Sequence, residues 1–283
     1  MNYATTFSEN IIPQINKVLK FAMENPYSDF YRKKYADCLI KEIRSYEDLQ
    51  KIPFLTKDEI LAADIAERTF IPKEKVVRYR FSSGTTNSNK PLLLPRSAHV
   101  DIPHFKERAK ENNLQNIFIL MPSLSMPFLH ANHLYGENVK AIHGDIKNLG
   151  LSAFILSALN IEGIHTTSTI LMFFIDHLEK IHYDLNKIKW ISLQGEYCSV
   201  QKYEYLKSKF CNAYFNFSYG STETGERGYR CINLARSMPP HTFHLHKNFI
   251  TEIIDENNKT LPLGSKGELV HTSLDTNAFP LIR

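Results

Sequence analysis

A loop rich in small hydroxyl side chains separates two apolar runs near residue 85. The first run, residues 76–81, predicts a strand, and a second apolar run covers residues 92–94. The loop between them contains Ser82, Ser83, Gly84, Thr85, Thr86 and Lys90. Glycine allows a ligand to approach the backbone closely, and N–H, hydroxyl and ammonium donors together suit a polyphosphate. The alternative is a surface hairpin made of ordinary turn residues.

A second glycine-containing stretch, NFSYGSTETG, covers residues 216–225. A strand over residues 214–217 is predicted to run into a glycine turn here. Glu223 could give a carboxylate to Mg²⁺, Thr222 a hydroxyl to a phosphate, and Tyr219 a flat face to a purine. Ligands of open α/β sheets bind beyond the carboxyl ends of the strands, so this loop and the first are expected to face one crevice. The alternative for Glu223 is a solvated loop acid.

The third stretch, LQGEYC, covers residues 193–198 at the end of another predicted strand. Gly195 would let the backbone here line a nucleotide pocket. The alternative is an ordinary turn between a strand and a helix. The three stretches together therefore indicate a nucleotide site, although each one alone has a structural explanation.

The composition bounds the classes of partner and compartment. The chain has 283 residues, 43% of them hydrophobic, and a formal net charge of +4, which does not indicate a nucleic-acid partner. Its four cysteines are widely spaced, as in a reduced cytoplasmic protein. No run approaches the roughly 20 apolar residues that span a bilayer, so no membrane partner is expected. The N-terminus, MNYATTFSEN, lacks a basic region followed by an apolar one, so no signal peptide is expected. We expect a cytoplasmic protein.

The pattern of apolar residues predicts an α/β fold. Residues 1–75 form a helical leader, with helices within 7–40, the second over 29–40, and with helix caps at Ser45 and Thr56. Helices and short apolar strands then alternate, beginning with a helix over 97–113, as in a sheet covered on both faces. The last stretch, residues 240–283, is rich in predicted strands.

Four motifs, at the spacing they have here, resemble those of the adenylate-forming (acyl-activating, AMP-binding) enzyme superfamily. They are SSGTT…KP, GE after a strand, N-x-x-YGSTE and GELVHTSLDTNAFPLIR. The likeness is greatest to its phenylacetate–coenzyme A ligase branch, since the leader, NPYSDFYRKKY followed by SYEDLQKIPFLTKDEI, is also similar to that branch. The resemblance covers most of the chain. It implies that residues 1–283 form the large N-terminal domain of such a ligase, with mixed sheets covered by helices.

The resemblance also implies a two-step reaction. A carboxylic acid, with an aromatic acid as one candidate, attacks the α-phosphate of ATP to give an acyl adenylate and pyrophosphate. A thiol then takes the acyl group, and the thiol belongs to coenzyme A or to a carrier protein. The enzyme supplies no covalent nucleophile, so positioning and charge stabilisation provide most of the catalysis.

Residue roles follow from the same resemblance. The loop of Ser82, Ser83, Gly84, Thr85, Thr86 and Lys90 would bind the β- and γ-phosphates. Gly195 and Glu196 would line the adenine pocket, and Tyr219 and Gly220 would contact the nucleotide, with Tyr219 stacked on adenine. Thr222 would contact the α-phosphate and Glu223 would bind Mg²⁺. His130 would lie near the acyl group, or else is a packed or surface histidine.

Two departures from the family pattern bear on function. Asn87 stands where the family has glycine after the second threonine, and two residues are added before Lys90. The sequence stops at Arg283, where the family continues through a YRTGD-like segment into a C-terminal lid domain. We therefore do not expect full ligase activity from this chain alone, and a separate C-terminal domain polypeptide or a carrier protein is a candidate partner. The alternative is a non-catalytic or split nucleotide-binding subunit that works with a partner chain.

A structural zinc is not expected. Candidate ligands lie close together in the sequence, at Cys231, His241, His244 and His246. Zinc sites usually have paired Cys or His ligands at short spacing, and only one cysteine is available in this stretch.

Overall fold

Two compact units make up the chain in a computed structural model, which describes residues 3–82, 91–97, 103–122, 135–136 and 138–283. Unit 1 comprises Met1–Ala98, Thr222–Thr224 and Leu245–Arg283. Unit 2 comprises His99–Ser221 and Gly225–His244. In the described part of the chain, no helix is long and apolar enough to cross a membrane.

Unit 1 begins with the predicted helical leader. Its helices are α1 (Ile12–Met23), α2 (Phe30–Lys34), α3 (Tyr46–Gln50) and α4 (Lys57–Ala62), with 3-10 turns at Glu9–Ile11 and Lys73–Lys75. Both predicted caps are confirmed. The Ser45 hydroxyl accepts from the Asp48 N–H at 3.4 Å, and Thr56 forms a reciprocal capping box with Glu59.

The predicted helix over residues 29–40 is wrong beyond Lys34. The chain there turns with short-range bonds, such as Cys38 N–H to the Tyr35 carbonyl at 3.0 Å. Tyr35 is buried, and its hydroxyl donates to the Ile282 carbonyl at 2.8 Å, while the Tyr31 hydroxyl donates to Pro280 at 2.6 Å. These tertiary contacts outweigh the helix propensity of the segment.

Two antiparallel ribbons complete unit 1. They pair β1 (Arg78–Phe81) with β2 (Leu93–Arg96), and β10 (Phe249–Ile254) with β11 (Glu268–Ser273). The second ribbon lies in the strand-rich end that the sequence predicts. The core of unit 1 joins apolar side chains from the leader, such as Ile15 and Phe70, with Ile250 and Phe279 from the end of the chain.

Unit 2 is built on a mixed sheet with the strand order β4-β3-β5-β6-β7-β8-β9. The strands from β4 to β7 in this order are parallel, and β7 and β8 are antiparallel. Their bounds are β3 (Asn116–Leu120), β4 (Lys140–His143), β5 (Gly163–Thr166), β6 (Trp190–Leu193), β7 (Tyr214–Ser221), β8 (Gly225–Tyr229) and β9 (His244–Leu245).

Helices cover both faces of this sheet. They are α5 (Pro103–Glu111), α6 (Leu149–Ala158), α7 (Ser168–Lys180), α8 (Val200–Lys209) and α9 (Ile232–Ser237), with a 3-10 turn at Leu185–Lys187. Side chains of α6, α7 and α8 share a core with Phe118 and Ile164, whereas Ala109 of α5 packs with Ile117 and Trp190. Within the described residues, the helix predicted over 97–113 begins only at Pro103. The predicted α/β fold, with mixed sheets covered by helices, is confirmed.

Candidate functional site

Strand β7 extends further than the sequence indicates. It was expected to end at Phe217, but it continues to Ser221 because Ser218 through Ser221 pair with β8 in an antiparallel hairpin. Tyr219 and Gly220 therefore lie in the strand, and the turn consists of Thr222–Thr224. A Cβ atom on Gly220 would lie 2.2 Å from the Gly225 carbonyl oxygen, so only glycine fits at this point of the hairpin.

The turn that contains Thr222 and Glu223 is held by a buried arginine of unit 1. Arg96 is 7% exposed, and its Nη2 donates to the Thr222 carbonyl at 2.9 Å and to the Glu223 carbonyl at 2.8 Å. A guanidinium has a planar set of donors, so two bonds from one nitrogen group restrict both peptide orientations. Arg96 thereby fixes the backbone from which the Glu223 carboxylate projects.

Arg96 belongs to an arginine cluster with Arg78 and Arg80. Arg78 lies opposite Arg96 in the β1–β2 pairing, and Arg80 lies two residues further along the strand, on the same face. Burial, together with the neighbouring Arg80 and Arg78, lowers the pKa of Arg96 to about 9, while Glu223 opposes the shift. Three like charges on one ribbon face create a positive potential that favours an anionic ligand.

The ends of the hydroxyl-rich loop are closed by Ser82. Its N–H donates to the Leu92 carbonyl at 3.0 Å, and its hydroxyl accepts from the Leu92 N–H at 2.9 Å. Beside this closure, the Thr222 hydroxyl donates to the Phe81 carbonyl at 3.3 Å. Ser82 and Thr222 therefore have structural contacts in addition to the phosphate contacts predicted for them.

Several predicted site residues lie outside the described residues. They are Ser83, Gly84, Thr85, Thr86, Lys90 and His130. Their predicted roles stay predictions.

Gly195 and Glu196 follow β6 in unit 2. Gly195 has a φ of +87°, a left-handed conformation that favours glycine. The Glu196 carboxylate accepts from the Ser168 hydroxyl at 2.6 Å and from the Thr169 N–H, at the start of α7. Burial raises the pKa of Glu196, but the bonds from Ser168 and Thr169 outweigh it and lower the pKa overall. Glu196 therefore anchors α7, an interaction that the sequence did not suggest.

Tyr219 presents a half-buried ring on β7. The ring centroid lies 6.0 Å from that of Phe243, with an interplanar angle of 35°. Burial raises the pKa of the Tyr219 phenol, so the ring is neutral at physiological pH. A neutral ring of this kind can stack on a base, as the resemblance implies for Tyr219.

The candidate zinc ligands do not converge among the described residues. The His241 ring bonds the Cys198 carbonyl and stacks on Tyr197 with the centroids 4.2 Å apart. Only His244 reaches Cys231, with Nε2 3.2 Å from Sγ. The Leu234 N–H and His244 lower the pKa of Cys231 to about 7. The structure has, in its described ranges, no group of three or more His, Cys, Asp or Glu side chains that could hold a metal.

The arginine cluster was missed by sequence reasoning. The alternation in VVRYRF was used only to predict a strand, although it also places Arg78 and Arg80 on one face. Arg96 gave no local signal, because its importance depends on the carbonyl groups of a turn more than 120 residues away.

Sequence comparison identifies no relatives, since the chain matches no protein-family model and no curated protein. Solved structures do match. A 2-hydroxyisobutyryl-CoA ligase in complex with 2-HIB-AMP and CoA superposes with a TM-score of 0.75 at 16% identity, over 97% of this chain and 61% of the ligase. An open conformation of that ligase gives a TM-score of 0.73 at 15% identity, over 96% of this chain and 67% of the ligase.

The luciferase-like enzyme from the nonluminescent mealworm Zophobas morio is also similar. It gives a TM-score of 0.52 at 16% identity, over 82% of this chain and 54% of that enzyme. The chain thus spans about three fifths to two thirds of the length of the CoA ligase it matches. Identities this low show the fold alone, and the chain has the fold of an adenylate-forming ligase.

Proposed function

We propose that this chain is the nucleotide- and acid-binding part of an acid–CoA ligase that proceeds through an acyl adenylate. The fold and the four sequence motifs support this activity. The structurally similar ligase binds 2-HIB-AMP and CoA, which are an acyl adenylate and the acceptor thiol of such a reaction. The phenylacetate–coenzyme A ligase branch remains the subtype that the sequence resembles.

The strongest support comes from the contact of Arg96 with the Thr222–Glu223 turn. It joins, within unit 1, the ribbon that carries the hydroxyl-rich loop and the turn that carries the candidate Mg²⁺ ligand. Because the cluster of Arg78, Arg80 and Arg96 lies on that ribbon, its positive charge favours the binding of a polyphosphate there.

The reaction requires in-line positioning more than covalent chemistry. A carboxylate oxygen of the acid bonds to the α-phosphorus, and the bond from this phosphorus to the bridging oxygen breaks, releasing pyrophosphate. In the second step the thiol sulfur bonds to the acyl carbon and its proton passes to water. The bond from the acyl carbon to the phosphate oxygen breaks, and AMP leaves with the electron pair. When the nucleotide binds, the Thr222 hydroxyl would turn from the Phe81 carbonyl to donate to the α-phosphate, and Lys90 and the loop hydroxyls would stabilise the departing pyrophosphate.

Magnesium fits the residues present. Mg²⁺ in nucleotide sites usually takes one or two protein carboxylates together with phosphate oxygens. Glu223, half-buried on a turn that Arg96 holds, would supply this carboxylate. The ion would neutralise phosphate charge when bound.

The test is calorimetric titration of Mg-ATP into the wild-type chain, Glu223→Ala and Glu204→Ala. Glu204 is an exposed acid on α8 and serves as the matched control. We expect saturable binding by the wild type and by Glu204→Ala, and at least a tenfold weaker affinity for Glu223→Ala, about 1.4 kcal/mol. Equal affinities for all three proteins would contradict the role of Glu223, and no binding by the wild type would contradict an adenylating function for this chain.

A second candidate is a nucleotide-binding subunit that needs a partner chain for catalysis. It is supported by the fraction of the similar ligase, 61–67%, that the chain matches. Acid-dependent exchange of pyrophosphate into ATP separates the two. Exchange by the chain alone supports a self-sufficient adenylating unit. Nucleotide binding without exchange for any acid supports the partner-dependent subunit.

A further inference from the structure

Three polar side chains form a row across one face of the sheet in unit 2. His165 of β5 is registered with Ser192 of β6, and Ser192 with Asn216 of β7. This polar row is completely enclosed, with exposures of 0%, 0% and 1%. Tyr135, 2% exposed, reaches the row through a hydrogen bond between its hydroxyl and His165 Nδ1. Buried polar side chains in a strand interior need partners or a ligand.

The hydrogen bonds of the polar row run in one direction. Asn216 Nδ2, which can only donate, contacts the Ser192 hydroxyl oxygen at 3.3 Å. Ser192 in turn bonds the Tyr135 hydroxyl. If Ser192 accepts from Asn216 and donates to Tyr135, the Tyr135 proton is directed to His165 Nδ1. The chain of donors then ends at His165.

Both ends of the Tyr135–His165 bond are neutral. Burial raises the pKa of the Tyr135 phenol and lowers the pKa of His165 to about 4. A neutral imidazole carries one N–H, and we infer that Nδ1 accepts from Tyr135, which assigns the hydrogen to Nε2. Nε2 is buried, and among the described residues it has no hydrogen-bond partner. A buried N–H donor without an acceptor is costly, and a bound oxygen atom would relieve that cost.

The polar row lies just below the edge of the sheet where the candidate nucleotide residues are found. Ser192 precedes Gly195 by three residues, and Asn216 precedes Tyr219 by three, which in extended strands corresponds to about 10 Å. Apolar side chains share this face, including Ile119, Met121 and Trp190. An acid joined to a nucleotide at the strand ends would thus meet apolar walls and one buried donor.

We propose that His165 Nε2–H donates to an oxygen on the carbon chain of the acid, so that this face selects a hydroxy or keto acid over an acid, aliphatic or aromatic, that lacks such an oxygen. The inference rests on the proposed function, because it assigns the acid substrate of the same reaction. A site built to hydrogen-bond a substrate oxygen rejects the analogue that lacks it, since its own donor is then left unpaired.

The test compares matched acids by titration calorimetry in the presence of AMP, using 2-hydroxybutyrate, butyrate and phenylacetate. We expect the wild type to bind 2-hydroxybutyrate at least about tenfold tighter than either other acid, equivalent to about 1.4 kcal/mol. His165→Phe should lose this preference, and His165→Gln, which keeps a donor, should recover part of it. His177→Phe, on α7, should behave as wild type.

A second measurement does not depend on any variant folding. Long-range ¹H–¹⁵N spectra of histidine-labelled wild-type protein should show the Nε2–H tautomer of His165 and a shift of its signal with 2-hydroxybutyrate. Three results would overturn the proposal: the Nδ1–H tautomer, a His165 signal that no acid moves, or binding of butyrate or phenylacetate at least as tight as that of 2-hydroxybutyrate.

Titrating Mg-ATP into the same sample distinguishes failure of the His165 proposal from failure of the proposed ligase function. Nucleotide binding without the hydroxy-acid preference overturns only the role of His165. The preference without nucleotide binding overturns only the ligase function.

Discussion

Two buried arginines of unit 1, Arg283 and Arg96, have contrasting surroundings. Arg283 is 5% exposed, and its Nε lies 3.1 Å from the carboxylate of Glu252, which is 0% exposed. It also donates to the Ile52 carbonyl at 2.9 Å and stacks over Phe54 at 4.1 Å. Among the described residues, Arg96 donates to backbone carbonyl oxygens, of Thr222, Glu223 and Pro95, and its charged neighbours are Arg80, Arg78 and Glu223.

This difference in surroundings distinguishes an arginine that stabilises the fold from one that belongs to a candidate ligand site. A buried charge with a buried counter-charge and full hydrogen bonding is complete without a ligand. A buried charge whose charged neighbours are mostly of the same sign creates a potential that favours an anion. We infer that Arg283 stabilises unit 1, whereas Arg96 keeps the turn and the ribbon ready for a polyphosphate. Substitutions can test this contrast.

The largest effect is expected for Glu252→Ala. It leaves the Arg283 charge buried without its partner and also removes the acceptor of the Tyr46 hydroxyl, 2.8 Å away. The free energy of unfolding in urea should fall by about 3–5 kcal/mol. Glu179→Ala is the matched control, because Glu179 pairs with Lys209 on the surface and should change stability by less than about 1 kcal/mol. Equal losses of unfolding free energy for the two variants would show that the Arg283–Glu252 pair is not a major source of stability.

An intermediate effect on stability is expected for Arg96→Met, together with a large effect on nucleotide binding. The variant keeps the apolar stem but removes two bonds to the turn, so unfolding free energy should fall by about 1–2 kcal/mol. The affinity for Mg-ATP should fall at least about tenfold. Arg68→Met provides the control, since Arg68 is equally buried and bonds the Leu93 carbonyl at 2.7 Å. Arg68→Met should lose stability but bind Mg-ATP with the affinity of the wild type. If Arg68→Met lost as much affinity for Mg-ATP as Arg96→Met, Arg96 would have no special role in nucleotide binding.

The smallest effect, and one of opposite sign, is expected for Arg78→Met. This change removes one like charge from beside Arg96, so the ligand-free chain should gain up to about 1 kcal/mol of unfolding free energy at low salt. The gain should shrink only slightly as salt is added, because Arg96 is buried and Arg78 half-buried, and salt screens buried pairs of charges much less than exposed ones. Urea unfolding at two salt concentrations measures both effects. A loss of stability that is independent of salt would argue that Arg78 has a packing role instead.

Local patterns in the sequence predicted most of the fold. The alternation of helices with short apolar strands was predicted, and hydroxyl and carboxylate spacing predicted the caps of α3 and α4. These features depend on neighbours a few residues apart. The end of α2 at Lys34 and the extension of β7 to Ser221 were not predicted, because each depends on pairing with a distant segment.

The candidate site was predicted in part for the same reason. Gly195 and Gly220 occupy positions that favour glycine, and both glycines were singled out from the sequence, although Gly220 lies in β7 and not in the predicted turn. The polar row was not visible, since His165, Ser192 and Asn216 each stand alone in a short apolar strand. Only the register of three parallel strands makes them neighbours.

The hydroxyl bonds of Tyr31 and Tyr35 have a consequence for how the chain is made. They join residues that lie 249 and 247 positions apart in the sequence. The ribosome synthesises the leader long before Pro280 and Ile282, so the Tyr31 and Tyr35 hydroxyls lack these acceptors until the end of the chain has been made. The residues of unit 2, by contrast, follow one another with a single short interruption. All residues of unit 2 are therefore synthesised before unit 1 is complete.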